Sequence, residues 1–269
     1  MKKRTAIRKF SKQRFLVIII LCFLAFITTV TLINIDVPKD GIKKASASFF
    51  NYAGKMFLGA RLSKSYSVQE LFFSLCVSLA LAVLTTLLGI VSAFVLGLAA
   101  SENLSNSYIA KTVRAFMSFI RAIPTIIWVL IFSVVTGLGA EAAILGMSFH
   151  STAYLVKGFS ESFEQINKET IEALKACGAG YVEIIMQAVL PSSITSLISW
   201  SFFRFEINFA NAVAVGAAAG AGGIGCELFM SGSLNFNIRE VGFISYMIFG
   251  TAIILELCSV RIKKNLKAG

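Results

Sequence analysis

Charge is what this sequence has least of: Asp, Glu, Lys and Arg make up 14% of its 269 residues, against 57% hydrophobic residues and a mean hydropathy of +0.79. A soluble domain cannot bury so much apolar surface, which excludes that class and leaves a membrane protein. Histidine is nearly absent, and with His150 alone no imidazole metal cluster can form. The five cysteines, Cys22, Cys76, Cys177, Cys226 and Cys258, contain no C-x-x-C pair and mostly lie in apolar runs, which argues against both a disulfide framework and a zinc site. A G-x-x-x-x-G-K-[ST] loop is also missing, so nothing in the chain can cradle ATP phosphates. Acidic residues number 14 against 25 basic ones. The excess gathers at the ends, Lys2 to Arg14 and Arg261 to Lys267, which fits membrane orientation by the positive-inside rule better than nucleic-acid binding.

What is present is a series of long apolar runs, each near the roughly 20 residues a helix needs to cross hydrocarbon. Helices rather than a β-barrel fit such runs. Phe15 to Ile35 reads as an uncleaved first span, since the A-x-A at Ala45 to Ala47 lies well beyond an already long apolar core. Asp36 to Gln69 is then an external loop, rich in Lys and Arg for that side. Further spans are expected at Leu71 to Ser101, Arg114 to Thr136 with a possible bend at Pro124, Ala142 to Phe159, Pro191 to about Ala219, and Val241 to Val260. About six spans place both termini in the cytoplasm. The chain thus divides into a basic tail, anchor and external loop (1–69), a core (70–260) and a basic tail (261–269).

The stretch Ala217 to Leu228 contains a literal G-x-G-x-x-G in Gly220, Gly222 and Gly225, with Gly223 between. A dinucleotide fingerprint needs a buried strand before it and a soluble βαβ unit around it. Neither exists here. The glycines read instead as an irregular, close-packed connection between helices on or near the external side.

Between Ser160 and Pro191 the chain turns polar with helical spacing, and it reads "ETIEALKACGAGYVEIIMQAVLPSS" from Glu169. Glu172, Ala173, Gly178, Leu190 and Pro191 occupy the places of the pattern E-A-A-x3-G-x9-I-x-L-P, with Leu174 and Ala188 departing from it. This segment (160–191) resembles the cytoplasmic EAA coupling loop of ATP-binding-cassette importer permeases. Gly178 and Gly180 allow a turn between two short helices, and the apolar residues Ile171, Leu174 and Leu190 flank it. Arg121 to Pro124 (RAIP), Phe203 to Asn208 (FRFEIN), Gly220 to Gly225 (GAGGIG) and Arg239 to Val241 (REV) are together similar to motifs of the phosphonate-transport permease family. That resemblance spans about Leu71 to Val260. It implies an all-α membrane protein with the type I ABC importer (MetI-like) permease fold, located in the cytoplasmic membrane of a bacterium. It also implies a homodimer, two ABC ATPase subunits that bind ATP and Mg, and an extracytoplasmic phosphonate-binding protein. The chain itself would hold no cofactor and perform no covalent chemistry. Phosphonate is the expected substrate, with phosphite and phosphate next and methionine or another small solute as the alternative. A passive channel or scaffold is the rival from another class.

Arg204 and Glu206 fall mid-span, where ionisable groups face a bundle interior or a wet cavity. Two residues apart, they diverge by about 200° around the helix, whereas Arg204 and Asn208 share a face. Arg204 with Asn208 is a candidate for holding a tetrahedral oxyanion in the pathway, with Glu206 paired elsewhere, for example to Arg121. The alternative is that these residues lock neighbouring helices. His150 is more simply a polar residue satisfied by a neighbour than a proton relay. Trp128 and Trp200 are either interfacial anchors or packing residues.

Overall fold

The computed structural model describes residues 12–34, 41–63 and 66–268, all in helices and their connections. Most of the basic head, from Lys2, and Asp36 at the start of the expected external loop lie outside the described residues. Clustering divides the chain into two compact units, 1–52 and 53–269. In the first, α1 (Lys12–Asn34) is exposed along its length. Its Thr28, Thr29 and Thr31 hydroxyls and the Asn34 amide each donate to the carbonyl four residues back, at 2.8–2.9 Å. On a helix surrounded by hydrocarbon, the backbone is the acceptor such groups can reach. α2 (Gly41–Phe57) is a helix of 17 residues inside the segment read as an external loop.

The second unit holds the bundle. α3 (Val68–Ala100) starts at a reciprocal cap: Ser67 Oγ accepts from the Glu70 N–H at 3.2 Å, and Glu70 Oε2 accepts from the Ser67 N–H at 2.7 Å. After a short turn, Asn106 caps α4 (Ser107–Ala122). The span expected over Arg114 to Thr136 is not one helix. α4 ends at Ala122, and α5 (Thr125–Thr136) leaves at 92° to it. Pro124 brings no N–H and drives Ile123 into extended backbone, φ −96° and ψ 127°. The indole of Trp128 then donates to the Ile120 carbonyl at 3.0 Å, so a group the break would orphan is paired.

α6 (Ala140–Phe163) is the central helix, with 14 of its 24 residues buried. Among the described residues four helices are long and apolar enough to cross a membrane, giving five spans if α4 and α5 count as one broken span. α6 covers the span expected over Ala142 to Phe159 but is not among the helices apolar enough to cross by composition. Its length of about 36 Å suffices, and because protein rather than lipid surrounds it, Ser151, Ser160 and Ser162 can be buried along it. Small residues let it approach its neighbours closely. A Cβ on Gly146 would stand 2.5 Å from the Val129 backbone nitrogen in α5, and one on Gly158 would stand 2.5 Å from the Trp200 ring. Trp200 and Trp128 are therefore packing residues. Because Gly146 meets backbone, Gly146→Ala forces two helices apart. It should cost about 1–3 kcal/mol, read as a lowered melting temperature of the detergent-solubilised chain; an unchanged melt would contradict this packing.

α7 (Lys168–Ala176) and α8 (Tyr181–Ile184) follow α6. A π-helical turn at Ile185–Val189 then joins α8 to α9 (Leu190–Ala219) in one run from Tyr181 to Ala219. Pro191 therefore lies inside a helix rather than opening one. The Leu190 N–H reaches back to the Ile185 carbonyl, and this wider turn accommodates a proline that lacks a donor and would clash in a regular helix. α10 (Ile224–Phe229), a second π turn at Met230–Leu234 and α11 (Ile238–Ala268) complete the chain. α11 carries straight on through most of the basic tail.

Candidate functional site

The segment resembling a coupling loop is a helix, a tight turn and a second helix. The turn is made by Gly178, whose φ of +88° suits glycine. The Ala179 N–H bonds the Leu174 carbonyl at 3.0 Å and the Gly178 N–H bonds Lys175 at 2.9 Å, closing the end of α7 in a Schellman-type arrangement. Gly180 plays a different part. Its backbone is extended at φ −74°, and its N–H donates to Glu183 Oε2 at 2.7 Å, so it starts the next helix. Glu172, Ala173, Gly178, Gly180 and Pro191 are exposed, and Leu190 is half-buried. Ile171 and Ile184 turn inward, 2% and 1% exposed, into the same core as Phe159 and Phe163 of α6. Tyr181, Val182 and Met186 stay exposed beside the turn. The result is an exposed knuckle of mixed charged and apolar residues on a buried base.

The base is tied to the bundle. Glu164, at the end of α6, accepts from the Glu102 N–H at 2.7 Å and is ion-paired with Arg114 of α4. Arg114 Nε also donates to the Ala100 carbonyl at 2.7 Å, and Asn103 Nδ2 donates to the Phe163 carbonyl at 2.9 Å. Displacing α7 therefore pulls on α3, α4 and α6 together.

Arg204 and Asn208 do share a face, and both are buried, 1% and 0% exposed. Ser151 Oγ accepts from Arg204 Nε at 3.0 Å and from Asn208 Nδ2 at 2.9 Å, while donating to the Met147 carbonyl at 2.6 Å. Asn208 Nδ2 also donates to Thr86 Oγ1 on α3 at 2.8 Å. Arg204 Nη2 and Thr125 Oγ1 each lie 3.1 Å from His150 Nδ1. Since a guanidinium has no acceptor, Nδ1 must carry the lone pair, and the imidazole is the neutral Nε2–H form. The guanidinium also stacks over Tyr154, 5.1 Å from the ring centre. His150 is thus satisfied by its neighbours, and α3, α5, α6 and α9 meet at one polar knot.

Glu206 and Arg121 are not partners. Glu206 lines a cleft of about 360 Å³ between α9 and α11 that also includes Glu256, and its buried Oε1 has no hydrogen-bond partner. Arg121 lies between α4 and α6, where it donates to Ser118 Oγ at 3.0 Å. The break at Pro124 turned α4 away from α5 and took Arg121 with it. A cavity of about 730 Å³ between α3 and α9 is lined almost wholly by apolar side chains such as Leu87, Phe94, Ile198 and Phe202, and offers an anion no charged partner.

The glycine stretch folds as a tight connection. Gly220, Gly222 and Gly223 have φ of +63°, +76° and +75°, and a Cβ on Gly225 would overlap the Val213 carbonyl. The Ile224 N–H donates to Ser78 Oγ on α3 at 3.0 Å. Beside it are two carboxylates that sequence reasoning did not single out. Glu240, 0% exposed, accepts from Ser63 Oγ at 2.7 Å and Ser231 Oγ at 3.2 Å, which ties the loop before α3 to the start of α11. Glu227 accepts from Ser74 Oγ at 3.3 Å. Burial and a hydrogen bond to Glu227 push the Tyr66 phenol up to about 12. The only sequence signal for Glu240 was its place in the REV motif.

Residues 93–267 match the family described as "binding-protein-dependent transport system inner membrane component". The chain is 30% identical to the phosphate-import permease protein PhnE of Mycolicibacterium smegmatis over 73% of its length, but spans only 37% of that relative. It is 29% identical to the phosphite transport system permease protein PtxC of Stutzerimonas stutzeri over 74% of this chain and 71% of that one. In fold it is similar to the membrane chain of an inward-facing MetNI methionine ABC transporter structure, with a TM-score of 0.68 and 20% identity over 76% of this chain and 99% of the other. With a match over 175 contiguous residues, 93–267, the chain belongs to the binding-protein-dependent transport system inner membrane components: it is a multi-pass membrane subunit of a transporter and not an enzyme.

Proposed function

We propose that this chain is the permease of an importer for small phosphorus oxyanions, with phosphonate first and phosphite or phosphate next. Two copies form the pathway, an ATPase subunit docks on each α7–α8 knuckle, and a binding protein delivers substrate from the other side. Both termini and the knuckle face the cytoplasm. The observation that carries the reading is the knuckle itself: Glu172, Ala173 and Gly178 stand exposed on a base held by Ile171, Ile184 and the Arg114–Glu164 clasp. Movement imposed on such a surface reaches the spans as a rigid-body displacement. The relatives named for phosphate and phosphite transport support the substrate class. In this reading the buried Arg204 knot is the lock that holds the helices together as they move, since its Nε and Nη2 are engaged within the chain.

Uptake of a radiolabelled two-carbon aminophosphonate into proteoliposomes that contain this chain, its ATPase and its binding protein tests the proposal. ATP-dependent accumulation is expected. Ligand-stimulated ATP hydrolysis with no uptake of phosphonate, phosphite or phosphate would remove the substrate class, and flux that ignores ATP would favour a passive channel.

A further inference from the structure

We propose that the cleft between α4 and α6 binds a tetrahedral phosphorus oxyanion, held by Arg121 and Lys157 with the hydroxyl of Ser118; the Ser160 hydroxyl also lines the cleft but donates to the Lys157 carbonyl at 3.0 Å. The cleft measures about 160 Å³, several times the roughly 30 Å³ of one water. Arg114, Ser118 and Arg121 are spaced i, i+4 and i+7 on α4 and so share a face; Lys157, Ser160 and Glu161 face them from α6. The opposite face of α4 is apolar and exposed, with Phe116 and Phe119 at 53% and 59%. The helix therefore turns Arg114 and Arg121 toward α6, the placement expected of ionisable residues that line a wet path.

The charges in this cleft do not cancel. Glu164 engages Arg114, and Glu161 lies 3.8 Å from Lys157, a long contact between side chains that are both more than half exposed. Arg121 has no acidic partner there: Nη2 meets only the Ser118 hydroxyl, and the buried Nε has no hydrogen-bond partner at all. Ser118 Oγ accepts from Arg121, which leaves its own proton to donate. Guanidinium, ammonium and the Ser118 hydroxyl line a space whose one carboxylate, Glu161, stands by Lys157 and leaves Arg121 unmatched. An oxyanion with several oxygens at tetrahedral angles satisfies that donor set. Arg204 is the contrasting case, with its Nε and Nη2 already spent on Ser151 and His150.

The same chemistry could come from a transported ion or from a lipid headgroup, since basic pockets between spans also hold anionic lipid phosphates. The choice of a free ion as first occupant rests on the phosphorus-oxyanion reading above. The test is native mass spectrometry of the detergent-solubilised transporter complex, with added inorganic phosphate and methylphosphonate in one arm and phosphatidylglycerol in the other. Wild type is compared with Arg121→Gln and with Lys157→Gln, whose half-exposed side chain leaves no buried gap. The expected result is about a tenfold loss of free-ion retention in both variants, with lipid retention unchanged. Loss of phosphatidylglycerol instead, with competition by phosphate, assigns the site to a headgroup. If both variants hold ions and lipid as wild type does, the proposal is overturned. Wild-type uptake, measured separately, distinguishes the two readings: ion binding without phosphonate uptake keeps the site and rejects the transport assignment.

Discussion

Gly178→Asp abolishes ATP-driven uptake while leaving a folded, membrane-inserted chain. Gly178 stands at φ +88°, and a Cβ there would meet no atom within 4 Å. The penalty is therefore backbone strain alone, about 1–2 kcal/mol for a residue with a side chain in the left-handed region. The Schellman-type bonds from Gly178 and Ala179 to Lys175 and Leu174 depend on that conformation. Relief comes by unwinding the end of α7, which moves Glu172 and Ala173 relative to Tyr181 and Val182. Since Ile171 and Ile184 still seat the base, the bundle's melting temperature should hardly move. An ATPase that grips the knuckle loses its matching surface, and about 1.4 kcal/mol of lost docking is already tenfold. Gly180→Ala is the control: φ is −74° and the nearest atom to a new Cβ is Glu183 Oε2 at 3.7 Å, an ordinary contact. It should transport as wild type does. Measuring uptake and ATP hydrolysis for both variants in one reconstitution checks the pair, and equal uptake by Gly178→Asp and wild type would refute the coupling role.

The turn at Gly178 and the end of α9 at Ala219 were legible because local chemistry sets them: a glycine where the chain reverses, and an apolar run closed by a left-handed Gly220. The connection through Gly222 and Gly225 was legible for the same reason. Other features depend on what lies beyond the local chain. Pro124 marked a bend but not its 92°, which also brings the basic face of α4 against α6. α2 was read as loop because an amphipathic helix rich in lysine resembles one in composition. The central place of α6 is invisible to hydropathy, which counts its serines and its histidine against it although Ser151, Ser160 and Ser162 are buried among its neighbours. The Arg204 knot was least legible of all. Thr86 is 122 residues from Asn208, and Ser151 is 53 from Arg204. Spacing on α9 correctly put Arg204 and Asn208 on one face, yet it could not name partners on other helices, and the guess of Arg121 for Glu206 failed on that account.

Arg204→Ala should give the largest stability loss of any single change in the bundle. The substitution empties space beside Tyr154, and it removes one of the two donors at His150 Nδ1, leaving Thr125 Oγ1, and the donor to one lone pair of Ser151. The cavity and the unpaired polar atoms together should cost about 3–5 kcal/mol, enough to lower both the yield and the melting temperature of the solubilised chain. Arg204→Lys should rescue little, because one ammonium cannot reach Ser151 and His150 as Nε and Nη2 do together. His150→Phe in the Arg204→Met background removes both ends of one bond and should recover part of the loss, the remainder being the contacts that Thr125 Oγ1 and Ser151 Oγ lose. Uptake scaled to folded complex then separates lock from pathway. A lock predicts that the surviving Arg204→Met, His150→Phe chains transport at close to the wild-type rate per molecule. If those chains are as stable as wild type yet transport nothing, Arg204 belongs to the substrate path and the helices are held by other contacts.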